Sequence, residues 1–225
     1  MHLLSLHPTA TVTAVTYEPQ QAHIAATRIA AAGLASAISV YTGDAANPST
    51  WIPARGSSTP PSTTAPPQPF RIAAESFDAL LALDSCYHYS TRATWLATLL
   101  PALKLGARFA CTDLILGAGY ATASAQTRIL LRAALWYAGA PWVNFHEREE
   151  YAQRLRDAGF KDVVVTVVSE HVFPRFGDFV KRHKASVGSI VGSGLWMRYE
   201  GAARLFSWLW KEQLVDFVVA HGTKA

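Results

Sequence analysis

Short apolar segments rich in β-branched residues alternate along the chain with segments of helical character, and this alternation limits the fold more than any other feature. Clear examples of the apolar segments are residues 11–16, 77–83 and 163–169. Strands that are apolar throughout are typical of sheets covered by helices on both faces, whereas half-exposed strands alternate apolar and polar residues. The alternation therefore predicts an α/β fold with a doubly wound, mostly parallel sheet.

Helix-start and helix-stop residues mark the segments between the predicted strands. Pro19 suits the first turn of a helix, and Gly33 suits its end. We expect Asn144 to cap a helix over residues 146–158, because its side chain can accept a hydrogen bond from a free backbone N–H group. The further predicted helices cover residues 91–103, 121–137, 175–184 and 195–210, and the further strands cover 37–42, 108–116 and 214–220.

The composition favours one sizeable domain over residues 1–225. Half of the residues are hydrophobic and 16% are charged, so the chain can fill a large core, which excludes wholesale disorder and fibres. No apolar stretch is long enough to cross a membrane, and the N-terminus lacks the pattern of a secretory signal. The net charge of +4, without any basic run, disfavours nucleic acid as a partner.

The chain has two cysteines, Cys86 and Cys111, which is too few for a disulfide framework or a structural zinc site. We expect both to be buried free thiols. The same count favours a reducing compartment, so a cytoplasmic location is expected. No grouping of histidines and cysteines has the spacing of a metal site, and no metal is predicted.

Two segments depart from the alternation. Residues 45–70 contain seven of the twelve prolines with many Ser and Thr residues. We expect a surface loop there, since so few apolar side chains cannot offset the entropy of ordering. Residues 172–210 interleave aromatic and basic side chains, which predicts a helical cover over a substrate pocket. Ordinary packing of amphipathic helices with a solvated basic face explains the same pattern.

Polar residues follow the predicted strands at the point where each strand ends. In open α/β sheets ligands bind beyond the carboxyl ends of the strands, so these residues are candidates for a site. Acidic residues and a histidine gathered at one edge would suit a ligand that carries hydroxyl groups, an amine or a positive centre. The candidates are Tyr17, Glu18, Gly43, Asp44, Ala45, Asp84, Ser85, His88 and Asp113.

Each acidic candidate and the histidine also have an ordinary structural explanation. Glu18 before proline fits a helix start, and Asp44 after glycine fits a turn. Asp84 and Asp113 could cap neighbouring helices, and His88 between two tyrosines could be a satisfied, partly buried histidine. The set indicates a function more strongly than its members do, because all of them fall at the same edge of the predicted sheet.

Five segments carry a series of motifs in a fixed order. They read VTAVTYEPQQ at 12–21, GDA at 43–45, SFDALLALD at 76–84, LKLGARF at 103–109 and YAQRLRDAGFKDVVV at 151–165. The series resembles the class I methyltransferases that use S-adenosylmethionine, in the methyltransferase type 11-like group, and is similar to tocopherol, sterol and sugar methyltransferases. Leu105 and Ala107 replace the proline and glycine of the family's pattern. The matches cover most of residues 11–170.

The resemblance implies a Rossmann-like, seven-stranded sheet whose last strand is antiparallel. It also implies S-adenosylmethionine as cofactor and methyl transfer to a small molecule, which we expect to be an apolar or amphipathic metabolite. His88 and Asp113 match positions that serve in the family as a catalytic histidine base and its partner aspartate. A histidine suits proton transfer near neutral pH, and an aspartate can orient the histidine ring. The implied cofactor contacts are Tyr17, Glu18, Gly43, Asp44, Ala45, Asp84 and Ser85.

One part of the family's pattern is missing from this sequence. The first strand and its glycine-rich turn, of the kind G-x-G-x-G, do not precede residue 11. Loss of a central strand would leave two unpaired edges inside the sheet, unless the edges meet or another chain, such as a second copy in a homodimer, fills the gap.

Two functions from different classes follow from this difference. The chain is either an active enzyme whose cofactor pocket is completed in another way, or a non-catalytic remnant that serves as an interaction module. A nicotinamide-binding domain is disfavoured, because it needs the same glycine-rich turn.

Overall fold

The structure is a computed structural model that describes residues 2–54, 70–188 and 192–225. The chain divides into two compact units, Met1–Ala74 and Glu75–Ala225. That all 225 residues form a single domain stays a prediction.

The first unit contains a small three-stranded sheet and one long helix. Its elements in chain order are α1 (His2–Leu6), β1 (Val12–Thr16), α2 (Pro19–Ala31), β2 (Ile38–Thr42) and β3 (Ile52–Pro53). β1 and β2 are parallel, and the short β3 is antiparallel to β2. Pro19 lies in the first turn of α2, where its missing N–H group has no partner to lose. The sequence predicted β1, α2 and β2 to within one residue of their bounds.

An aromatic cluster orders the described part of the proline-rich segment. Trp51 is buried, and its ring stacks on Phe70 at a centroid distance of 5.1 Å. The ring of Tyr41 in β2 lies 4.6 Å from that of Phe70. The cluster therefore holds residues from both described parts of the predicted loop 45–70 against β2. Residues 55–69 of that loop lie outside the described residues.

The second unit is built on a four-stranded sheet with helices between its strands. Its strands are β4 (Phe77–Ala82), β5 (Leu103–Leu116), β6 (Phe160–Val167) and β7 (Val215–Lys224). Its helices are α3 (Arg92–Leu99), α4 (Gly119–Thr122), α5 (Ala125–Tyr137), α6 (Arg148–Asp157), α7 (Ser169–Val187) and α8 (Ser193–Lys211).

The strand order of this second sheet is β4-β5-β7-β6. β4 is parallel to β5, with Leu80 opposite Phe109, and β7 is antiparallel to both β5 and β6. β4, β5 and β6 therefore run in one direction and β7 runs against them. This confirms the predicted α/β fold with an antiparallel last strand.

The described strands form two separate sheets. β1 is the edge of the three-stranded sheet, and β4 is the edge of the four-stranded sheet. Among the described residues, β1 is also the first strand in chain order.

The main core of the second unit packs α5, α7 and α8 against β5 and β7. Its buried members are Leu114, Leu116, Leu131, Leu135, Ala140, Phe145, Phe173, Leu209, Leu214 and Val215. α7 and α8 supply the helices that the sequence predicted over residues 172–210. None of the helices within the described ranges is both long and apolar enough to cross a bilayer.

Three details of the predicted helices are wrong. The helix over 91–103 ends as α3 at Leu99, and Leu103 already belongs to β5. The single helix over 121–137 is divided into α4 and α5, because Ser124 is extended and its Oγ accepts a hydrogen bond from the Thr127 N–H group as the cap of α5. Asn144 does not cap α6, which begins at Arg148 after Glu147. Asn144 lies too far before Arg148 to reach the first free N–H groups, and its side chain has other partners.

A substitution at Gly119 tests how closely the turn after β5 packs against the segment before β7. A Cβ atom added at Gly119 would overlap the carbonyl oxygen of Glu212. We expect Gly119→Ala to lower the free energy of unfolding by about 1–3 kcal/mol, the usual cost of overpacking, as measured by urea denaturation. The control is Gly201→Ala in α8, where an added Cβ meets nothing within 4 Å. It should gain about 0.5–1 kcal/mol from better helix propensity, and equal effects of the two changes would contradict the packing.

Candidate functional site

The segment that follows β4, residues 84–90, carries three of the predicted site residues. Asp84 begins it with a φ of 52°, a left-handed conformation that aspartate tolerates better than most residues. Its backbone N–H group donates to Thr112 Oγ1 of β5 at 2.7 Å. Its Oδ1 accepts a hydrogen bond from the hydroxyl of Tyr87 at 2.9 Å. The Asp84 carboxylate is thus held in one orientation at the end of the strand.

Ser85 and Tyr89 connect the two ends of a short 3₁₀ helix, Cys86–His88, through hydroxyl groups 2.8 Å apart. Burial raises the pKa of Tyr89 to about 12. Burial, together with the charge of Asp84, raises the pKa of Tyr87 well above its usual range. Both phenols therefore keep their protons near neutral pH, so Tyr87 stays a hydrogen-bond donor to the carboxylate.

His88 is an exposed member of this segment. Its Nδ1 lies 3.2 Å from the carbonyl oxygen of Gly139, and its ring packs 4.3 Å from that of Tyr87. A carbonyl oxygen can only accept a hydrogen bond, so in the neutral ring Nδ1 carries the proton and Nε2 keeps its lone pair. Nε2 is therefore able to accept a proton from a bound molecule.

Asp113 lies in a buried ion pair. Its side chain has no exposed area, and its Oδ2 lies 2.7 Å from Nε of Arg92, a charge contact without hydrogen-bond geometry. Oδ2 also accepts a hydrogen bond from the hydroxyl of Tyr151, and Oδ1 accepts one from the Leu114 N–H group. Burial raises the pKa of Asp113, and the charge of Arg92 opposes that rise. The predicted pairing of Asp113 with His88 stays a prediction.

Arg92 and Asn144 extend this buried cluster towards the segment 84–90. The Nη1 of Arg92 donates to the carbonyl oxygen of Asn144 at 2.5 Å. The side-chain amide of Asn144, a residue only 1% exposed, donates to the carbonyl oxygens of Tyr87 and Tyr89. The sequence pattern indicated only a capping role for Asn144, and no pattern marked Arg92.

The two cysteines are free and buried, which agrees with the expectation from the sequence. The hydrogen bond with Cys111 and burial together raise the pKa of Cys86. With Asp113, the two thiols place three potential metal ligands within 4.8 Å of one another. Because the charge of Arg92 already neutralises Asp113 and opposes a cation, the group is better explained as a buried polar cluster.

In the first unit, Asp44 lies in a turn that is fixed at three points. Its N–H group donates to Thr50 Oγ1, its carbonyl oxygen accepts from Nε1 of Trp51, and its Oδ1 accepts from the Ala46 N–H group. A Cβ added at Gly43 would lie 2.8 Å from the carbonyl oxygen of Thr50, so this close approach requires glycine. The half-buried carboxylate of Asp44 therefore has a defined position.

The other predicted residues of the first unit are less constrained. Tyr17 is 84% exposed, and Ala45 is half-buried in the turn of Asp44. Glu18 accepts a hydrogen bond from the Gln20 N–H group at the start of α2, which is the ordinary structural explanation. The cofactor contacts and catalytic roles assigned from the sequence stay predictions.

A cavity of about 500 Å³ lies between α3 and α6 of the second unit. Its walls are mostly apolar and include Leu96, Leu100 and Leu155. Arg92 and Tyr151 of the buried cluster also line it, but none of the residues predicted for the site does.

The buried ion pair can be tested by removing one partner and then both. Arg92→Met leaves Asp113 unpaired, and we expect it to lower the free energy of unfolding by about 3–5 kcal/mol. Adding Asp113→Asn should recover part of this loss, since no buried charge remains. Lys104→Met, which breaks the exposed pair with Asp78, is the control and should cost less than about 1 kcal/mol. Equal costs of Arg92→Met and Lys104→Met in urea unfolding would contradict the account.

The thiols should be unreactive in the folded protein. Cys86 and Cys111 are 0% and 2% exposed, and the raised pKa of Cys86 lowers its thiolate fraction at mildly alkaline pH. We expect an aromatic disulfide reagent to modify neither cysteine before unfolding and both after addition of guanidinium chloride, as followed by absorbance. Rapid modification of the folded protein would show that the cluster is open to solvent.

Comparison with known proteins gives a partial sequence match. No protein-family model matches the chain. Erythromycin 3''-O-methyltransferase of Saccharopolyspora erythraea is 32% identical over 108 residues, which cover 47% of this chain and 35% of that enzyme. The match thus spans about a third of the enzyme's length, so it gives no whole-protein assignment.

Similar solved structures extend over the whole chain. A candidate sarcosine dimethylglycine methyltransferase from Galdieria sulphuraria has a TM-score of 0.74 and 12% identity, over 100% of this chain and 73% of that one. Geranyl diphosphate C-methyltransferase from Streptomyces coelicolor A3(2), in complex with Mg²⁺, geranyl diphosphate and S-adenosyl-L-homocysteine, has a TM-score of 0.66 and 14% identity, over 99% of this chain and 68% of that one. The strand order, the motifs and these likenesses agree that the chain has the fold of the class I S-adenosylmethionine-dependent methyltransferases.

Proposed function

We propose that the chain binds S-adenosylmethionine and transfers its methyl group to a small apolar or amphipathic metabolite. The observation that carries this proposal is the segment after β4. Within residues 84–88 it presents the fixed carboxylate of Asp84, the hydroxyl of Ser85 and the exposed ring of His88, whose Nδ1 lies 3.2 Å from the carbonyl oxygen of Gly139. Acceptor groups and a base in one short, hydrogen-bonded segment suit the binding of a polar cofactor and the removal of a proton.

The proposed cofactor contacts come from the turns that follow the strands. Asp44 holds a half-buried carboxylate in a fixed turn, which suits hydrogen bonds from hydroxyl or amino groups of an adenosyl ligand. Asp84 offers a second oriented carboxylate in the other unit. The full proposed set is Tyr17, Glu18, Gly43, Asp44, Ala45, Asp84 and Ser85.

When bound, S-adenosylmethionine supplies a methyl group on a positively charged sulfur, which is already activated for transfer. The chain must then align the acceptor and remove its proton. The step assigned to this chain's own residues is removal of a proton: Nε2 of His88 would accept the proton that the acceptor atom loses as it is methylated. Alignment can contribute about 7–11 kcal/mol, and a general base typically contributes about 10²–10⁴-fold in rate.

The contacts of Asp113 support an indirect role for this residue in the proposed catalytic pair with His88. Its carboxylate is fully buried, and its partners are Arg92, Tyr151 and the Leu114 N–H group. Asp113 would therefore act by holding the strand end and α3 in place, while His88 meets the acceptor.

The methyl acceptor, the cellular location and the oligomeric state are proposed from the sequence and from the helical cover. α7 and α8 expose Phe179, Met197 and Tyr199, which supports an apolar wall for an acceptor. A small molecule in the cytoplasm is proposed over a nucleic acid, and assembly as a homodimer is proposed as the way in which an unpaired strand edge is covered. The alternative of a non-catalytic remnant predicts no cofactor affinity.

Calorimetric titration with S-adenosylhomocysteine tests cofactor binding. We expect the wild-type chain to bind and Asp44→Ala to bind about 10- to 100-fold more weakly, because hydrogen bonds to a charged group contribute about 1.5–3 kcal/mol. Asp78→Ala is the matched control, since Asp78 is an exposed aspartate whose carboxylate pairs with Lys104. Absence of heat at millimolar ligand would favour the non-catalytic alternative.

His88→Gln separates catalysis from binding. The substitution removes the base, so we expect turnover to fall by about 10²–10⁴-fold while the affinity for S-adenosylhomocysteine stays within about twofold. Transfer of labelled methyl groups to a panel of small hydroxyl and amine acceptors measures turnover. If affinity and turnover fall together, His88 is a cofactor or structural contact and the assignment as base is wrong.

A further inference from the structure

Both the NH₂ group and the oxygen of the Asn144 side-chain amide form hydrogen bonds with backbone groups in and next to the segment after β4. Its Nδ2 donates to the carbonyl oxygens of Tyr87 at 3.2 Å and Tyr89 at 2.7 Å. Its Oδ1 accepts a hydrogen bond from the Arg92 N–H group at 2.9 Å. An amide has two N–H donors and one oxygen, and all of them are engaged here. At 1% exposure, water does not compete for these bonds.

The backbone that Asn144 holds lies on both sides of His88. Tyr87 and Tyr89 flank the histidine, and their hydroxyls contact Asp84 and Ser85. Fixing the two carbonyl oxygens therefore fixes the chain direction at His88 and the side chains that orient its polar neighbours. One residue that is distant in sequence thus holds the backbone of the segment at two points.

Asn144 is in turn held by the buried ion pair. Its carbonyl oxygen accepts from Nη1 of Arg92 at 2.5 Å, and the same guanidinium contacts Asp113 at 2.7 Å. Tyr151 of α6 donates to Asp113, so β5, α3 and α6 converge on the cluster. A side chain supported in this way has little freedom to follow movements of the segment that it binds.

We propose that Asn144 is a positioning residue, which keeps residues 84–90 in the geometry that presents Asp84, Ser85 and His88. The role rests on the proposed function, because it concerns the site that those residues would form. Asn144 acts through the backbone at Tyr87 and Tyr89 and is assigned no contact with the reacting atoms.

Asn144→Asp is the sharpest test. Aspartate has nearly the same shape and keeps an acceptor for the Arg92 N–H group, but it cannot donate to the two carbonyl oxygens. Ser169→Ala is the matched control: Ser169 is also 1% exposed, and its hydroxyl donates to Asp216 and accepts from the Phe217 N–H group. The control therefore removes a comparably buried pair of hydrogen bonds at a site without contact to the segment.

Hydrogen exchange and ligand affinity are measured for the wild type and both variants. We expect Asn144→Asp to speed amide exchange in residues 85–90 by about 10- to 100-fold, as loss of two hydrogen bonds implies. Its Kd for S-adenosylhomocysteine should rise at least about tenfold, while Ser169→Ala leaves both quantities within about twofold. Exchange in 85–90 that is unchanged, or equal in the two variants, would overturn the proposal.

If Asn144→Asp does not fold, a measurement on the wild type tests whether the Asn144 side chain holds the segment. The side-chain NH₂ protons of Asn144 should be strongly protected in amide spectra, and exchange at the rate of a free amide would overturn the proposal. If the wild type binds no S-adenosylhomocysteine, the proposed function fails, while the exchange data still decide whether Asn144 holds the segment.

Discussion

The ion pair between Arg92 and Asp113 is the interaction on which the second unit depends. Removing two opposite charges from water costs several kcal/mol for each ion, so such a pair persists only with good geometry and further hydrogen bonds. Tyr151 and the Leu114 N–H group supply these bonds to the carboxylate, and Asn144 receives one from the guanidinium. Elements that are distant in sequence, α3, β5 and α6, are thereby joined inside the unit.

The candidate site is built outward from this pair in two steps. Asn144 connects the buried cluster to the backbone after β4 through two hydrogen bonds. The hydroxyls of the tyrosines in that segment orient Asp84 and Ser85. His88 remains exposed at the end of the series, with its Nδ1 3.2 Å from the carbonyl oxygen of Gly139. Rigid buried groups thus support the exposed His88, the proposed base, as precise alignment of a reaction requires.

The sequence predicted the α/β order of elements, because apolar periodicity and Gly or Pro punctuation are local signals. The antiparallel last strand was implied by the resemblance to the methyltransferases. The sequence also marked Asp84, Ser85 and His88, since they follow a strand. It did not predict that Asp113 is buried in an ion pair or that Asn144 contacts Tyr87 and Tyr89. Those contacts join residues about 20–60 positions apart, and no local propensity encodes such a pairing. The two separate sheets also depend on pairing between distant strands.

The most direct test of the central claim is a titration of the chain with S-adenosylhomocysteine, followed residue by residue in amide NMR spectra. The account predicts shifts at residues 84–88 that saturate with increasing ligand. Shifts confined to the cavity between α3 and α6, or an unchanged spectrum at millimolar ligand, would contradict it.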